Sequence, residues 1–132
     1  MLAAGTLGNV RMIQASFGFP LADQGNIRMQ PDLAGGAILD AGSYPVSFAR
    51  MVTGTRPARV TAVSRLGPTG VDTTTLGILE FADGTVAQIS CTFATARHRH
   101  AFVAGGAGSL FTTYYNDTGP TFPPLVDVRH GT

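Results

Sequence analysis

The sequence has no tryptophan, a single cysteine and few charges, 13% of its 132 residues. The lone Cys91 rules out an intrachain disulfide, and with it the stapled architecture of small secreted domains, so a reducing cytoplasm is the expected location. Nowhere do about 18 apolar residues run together, and the start, MLAAGTLGNVR, has no basic segment leading into a long apolar core. Neither a membrane span nor a signal peptide is expected. Nine Lys+Arg stand against eight Asp+Glu with no basic block, which leaves no electrostatic footprint for nucleic acid.

What is present points to a globular chain. Hydrophobic residues make up 44% and there are eight Phe, enough for one core that buries roughly 65 to 70% of the unfolded surface, so residues 1–132 read as one domain. Seventeen Gly and eight Pro suggest short elements joined by tight turns. Residues 10–19 (VRMIQASFGF), closed by Pro20, predict a strand, and 21–33 a loop. After Gly35-Gly36, the stretch AILDAGSYPVSFARMV carries Ile38, Leu39, Val46, Ala49, Met51 and Val52 at helical spacing and ends before Gly54, predicting one long helix.

Residues 59–65, 73–81, 85–95, 98–103 and 110–115 are short, β-rich and separated by turn signals, which predicts a largely antiparallel sheet. Asp83-Gly84 between two apolar runs predicts a type I′ hairpin. Ala87, Ile89, Cys91 and Phe93 alternate with Gln88, Ser90 and Thr92, so one face should meet the helix while the amphiphilic other face suits a second subunit. Residues 105–109 (GGAGS) precede a β-rich run, not a helix, and so form a strand-to-strand turn instead of a dinucleotide loop. The tail from Asn116, rich in proline, reads as an extended or loosely packed exit.

Asp40 and Tyr44, four apart on the predicted helix, place an acid and a phenol on one face, where Gly42 and Pro45 loosen the backbone. Arg28, in the loop before that helix, suits a hydroxylated or anionic ligand or simply faces water. His98 and His100 form an H-x-H pair on one strand face, but two ligands do not make a zinc site, and no metal is expected. Cys91 sits in an apolar register and reads as a small core residue without chemistry.

In order, GNVRMIQASFGFP, NIR, GGAILDAGSYPVSFARMVTG, GVDTTT, LEFADGTVAQISCTF and VAGGAGSL resemble, over residues 8–110, the C-terminal domain of the glucose-fructose oxidoreductase, inositol dehydrogenase and rhizopine-catabolism (Gfo/Idh/MocA) family. The resemblance implies an α/β (α+β) fold with one long helix on an open, mostly antiparallel sheet. It also implies the substrate-side and dimerisation domain of an NAD(P)-dependent oxidoreductase acting on a sugar, polyol or related hydroxylated compound. The family's glycine pair, acid and downstream His or Tyr fall on Gly35, Gly36, Asp40 and Tyr44, which makes Asp40 and Tyr44 the catalytic candidates and Tyr44 the first choice for proton transfer. Arg28 and Asn26, in the segment resembling the family's N-[IW]-R, are expected to bind substrate.

The departures are the absence of a G-x-G-x-x-G on a strand-turn-helix and of a Glu-Lys-Pro segment. No cofactor is expected on this chain alone, and NAD or NADP is expected in a complete enzyme. The partners implied are a carbohydrate or polyol and a second copy through the open sheet face, with no nucleic acid and no membrane. The alternative reading is a non-catalytic ligand-binding or assembly module of the same fold.

Overall fold

A computed structural model describes residues 5–113 and 125–131. Seven strands form one sheet: β1 (Val10–Gly18), β2 (Arg59–Leu66), β3 (Asp72–Glu80), β4 (Val86–Thr92), β5 (His98–Gly105), β6 (Gly108–Thr113) and β7 (Leu125–His130). Their order across the sheet is β2-β3-β4-β1-β5-β6-β7. β1 pairs parallel with β4 and antiparallel with β5, and every other pairing is antiparallel. The open, mostly antiparallel architecture expected of the chain is the one it adopts.

Alternation along each strand sets the two faces. Ile13 and Ala15 of β1, Leu79 of β3, Ala87 and Ile89 of β4 and Val103 of β5 all point inward and are buried. The α-helix α1 (Ser43–Thr53), the one α-helix among the described residues, lies over β1 and β4 and adds Ala49, with Val46 and Val52 packed alongside. A second buried cluster, Met29, Ala37, Ala41, Val71, Cys91 and Phe93, lies under the long connection between β1 and α1, and Ile38 packs against both clusters. Burial pushes the Cys91 thiol up to about 12, with the Asp72 carboxylate adding to the shift, so at neutral pH it is a protonated core side chain.

The opposite face carries Met12, Leu76, Ile78 and Val86, all well exposed, alongside Gln14, whose amide donates to Gln88 across 3.2 Å. It also holds a hydroxyl ladder in which Ser90 donates to Ser16 at 2.7 Å. No helix among the described residues is long and apolar enough to cross a membrane.

Three local expectations are corrected. The helix is shorter than its periodicity predicts, because the backbone before Ser43 is spoken for elsewhere. Ala37 N–H donates to the Asp72 carbonyl at 2.8 Å, and Ile38 N–H to Asp72 Oδ2 at 2.9 Å, which pins residues 37–38 to the start of β3. Pro45, which has no N–H to offer, becomes the third residue of α1, where a missing donor costs little. Leu39 (63%) and Met51 (67%), both in the apolar period, are exposed. Gly54 does end the helix, at φ 71° with its N–H on the Arg50 carbonyl.

The Asp83-Gly84 turn is not type I′, since Gly84 (φ 87°) alone takes positive φ there. Gly84 N–H closes on Phe81 O at 3.0 Å and Phe81 N–H on Thr85 O at 2.9 Å, the three-residue hairpin in which a glycine follows a type I turn. Asp83 instead accepts from Thr85 N–H at 2.9 Å. Within the tail, residues 125–130 form β7, paired along β6; the reading of residues 116–124 as a loosely packed exit lies outside the described residues.

Candidate active site

The connection between β1 and α1 is built around its glycine pair. Gly35 and Gly36 donate to Gln30 O (2.9 Å) and Arg28 O (2.7 Å). A Cβ on Gly35 would meet the Arg28 and Gln30 carbonyls, and one on Gly36, at φ 118°, would run into Asp72 Oδ1. Only residues without a side chain allow the 3-10 turn carrying Arg28 to lie against the turn carrying Asp40. Asp72, from the GVDTTT segment, is the hub: its Oδ2 also accepts from Thr75 Oγ1 at 2.6 Å.

This scaffold brings three of the four expected residues together. Arg28 Nε and Asp40 Oδ2 are 2.9 Å apart, an ion pair whose N–H is shut off from water but not aligned as a hydrogen bond. Tyr44, second residue of α1 and 38% exposed, joins them in lining a cleft of about 340 Å³ together with Phe17, Phe19, Arg97 and Arg99. Asp40 and Tyr44 share this cleft although Asp40 lies in the turn before the helix, tied there by Ser43 Oγ donating to its carbonyl at 2.7 Å. Asn26 does not line the cleft: it caps the 3-10 turn Ile27–Met29, its Oδ1 accepting from Arg28 N–H at 3.0 Å, and so acts on Arg28's backbone.

The strongest feature of the cleft went unread in the sequence. Arg99 is only 6% exposed, its guanidinium 3.8 Å from the centroid of Phe17 and 4.5 Å from that of Tyr44. The two rings meet edge to face at 5.3 Å. Attraction between the cation and the ring faces fixes both the phenol and the wall behind it. A signal existed: in a strand whose Ala101 and Val103 face the helix, position 99 shares that face, and a charge in a core register calls for a reason.

His98 and His100 do share a face, with ring centroids 5.9 Å apart, but it is the open one, away from the cleft. His98 Nε2 is 2.9 Å from Ser16 Oγ, and burial, then His98, lower the His100 pKa. Among the described residues no three His, Cys, Asp or Glu gather as a metal site. The glycines at 105–108 turn β5 into β6 and offer no helix N-terminus to a pyrophosphate.

Comparison with known proteins places this architecture. The chain is 40% identical over 111 residues to a D-xylose 1-dehydrogenase (NADP(+)) from Haloferax volcanii, covering 83% of this chain and 34% of that protein. To the trans-1,2-dihydrobenzene-1,2-diol dehydrogenase of Mus musculus it is 35% identical over 111 residues, covering 82% and 32%. The chain thus spans about a third of the length of these curated relatives. A 3-ketoreductase from Actinomadura kijaniata, solved in complex with NADP and TDP-benzene, superposes with a TM-score of 0.83 at 30% identity, over 98% of this chain and 40% of that one. Residues 1–111 match the GFO/IDH/MocA C-terminal domain, and the chain belongs to that family.

Proposed function

We propose that this domain forms the substrate-side wall of an NAD(P)-dependent oxidoreductase acting on a sugar, polyol or related hydroxylated compound. The observation that carries the reading is the convergence of Tyr44, Asp40 and Arg28 on one aromatic-walled cleft. A nicotinamide cofactor would bring the hydride chemistry; this chain's residues do the rest. The Tyr44 hydroxyl sits at the cleft surface and takes or returns the proton of a substrate hydroxyl. Asp40, held by Arg28, accepts from neighbouring hydroxyls and orients the carbon that reacts. Phe17 and Phe19, whose centroids are 5.5 Å apart, exclude water behind the substrate.

Asp40→Asn keeps the shape of the side chain but removes its charge and loosens Arg28. In the full enzyme it is expected to raise KM and lower kcat together, with the melting temperature within a few degrees, because an ion pair this exposed contributes only about 1 kcal/mol. A stability loss with unchanged kinetics would reduce Asp40 to a structural residue.

The open sheet face supports a second part of the reading, self-association through a two-fold interface. Met12, Leu76, Ile78 and Val86 form exposed apolar rows there, and a face that repeats the same rows on a partner suits an isologous contact. Sedimentation is expected to give a dimer or larger assembly; a monomer at high concentration would remove the interface.

A further inference from the structure

A neutral polyol does not account for the charge of the cleft. All nine basic residues of the chain are arginines, and three of them, Arg28, Arg97 and Arg99, line this cleft against one carboxylate, Asp40. Arg28 and Asp40 offset each other at 2.9 Å. Arg99 is packed between Phe17 and Tyr44, where it stiffens the wall and adds positive potential. Arg97 differs from both. It stands in the exposed turn between β4 and β5, two residues before Arg99, and the ion pairs of the described residues, Arg28–Asp40, Arg59–Glu80 and Arg129–Asp127, do not include it. A guanidinium at the mouth of a cleft with aromatic walls is matched by a planar or tetrahedral oxyanion, because its fork of N–H groups meets two oxygens at once and the apolar walls focus its field.

We propose that Arg97 is a specificity-determining residue of the cleft, binding a carboxylate or phosphate-ester group carried by the hydroxylated substrate. The proposal rests on the reading of this cleft as the substrate site. An oxyanion has two sources in such an enzyme, the substrate or the phosphates of the nicotinamide cofactor, and the test separates them.

Isothermal titration of the full protein with glucitol, gluconate and NADP+ compares a neutral chain, the same carbon skeleton ending in a carboxylate, and the cofactor. Gluconate is expected to bind roughly tenfold more tightly than glucitol, the increment of one charge-assisted contact, and to lose that margin as salt is raised. In Arg97→Gln the margin disappears while glucitol affinity and the melting temperature hold, since the side chain is exposed; Arg97→Lys, which keeps the charge but not the fork, retains part of it. Equal affinities for gluconate and glucitol overturn the anion assignment and leave the hydroxyl-binding reading in place. Loss of NADP+ affinity in Arg97→Gln with gluconate unaffected overturns it in favour of the cofactor. No binding of either glucitol or gluconate overturns both readings.

Discussion

Tyr44→Phe is expected to lower kcat of the full oxidoreductase by roughly two to four orders of magnitude, the range of a positioned acid-base group, while its unfolding temperature stays where it was. The substitution removes one oxygen and keeps the ring. The ring is what holds the site in shape, through its edge-to-face contact with Phe17 at 5.3 Å and the Arg99 guanidinium 4.5 Å from its centroid. At a residue 38% exposed, the loss of one oxygen should change stability by no more than about 0.5 kcal/mol. Steady-state kinetics beside a melting curve decides the point. A fall in kcat with KM nearly constant assigns the phenol to the proton; an unchanged kcat moves proton transfer to another group.

The largest effect on stability is expected at Gly36. At φ 118° its backbone lies where side chains are rarely accommodated, a strain of about 1 to 3 kcal/mol for any other residue. A Cβ would in addition collide with Asp72 Oδ1, and the carboxylate cannot retreat without dropping Ile38 N–H and Thr75 Oγ1. Gly36→Ala should therefore cost roughly 3 kcal/mol or more, which for a domain of this size is about 10 °C in Tm. Gly54→Ala is the control: φ is also positive (71°), but nothing lies within 4 Å of a Cβ there, so only backbone strain of about 1 to 2 kcal/mol remains. Equal losses in the two variants, measured by thermal unfolding, would mean that the Asp72 contact contributes nothing. A damaged Gly36 should also cost substrate affinity, because it is the joint that sets Arg28 beside Asp40.

The strands, the helix stop at Gly54 and the inward row Ala87, Ile89, Cys91 were legible in the sequence because each rests on a local period or a local backbone preference. The start of the helix was not. Residues 37–42 have helical spacing, yet the N–H groups of Ala37 and Ile38 are claimed by Asp72, more than 30 residues downstream, and no local pattern announces a partner that distant. The same holds for the cleft. Asp40 and Tyr44 could be paired by spacing and Arg28 by resemblance, but Arg97 and Arg99 reach the site only because β5 lies against β1 in antiparallel register, with Arg99 opposite Phe17. The two flanking histidines are ligand types on the open face of the sheet, while Arg99 between them faces the cleft.

The central position of β1 ties assembly of this domain to its late-made segments. Gln14 finds Gln88 at a separation of 74 residues, and its other neighbour, Phe102, comes later still. The first strand of this domain to be made is thus the one that waits across the longest stretch of chain for its partners, and both its edges stay unpaired until β4 and β5 exist. Closing so long a loop costs about 4 kcal/mol of chain entropy before any pairing repays it. Folding is therefore set by topology, slow for a chain of this length, and during that interval β1 is an apolar strand with two open edges, the segment of the nascent chain with most need of protection.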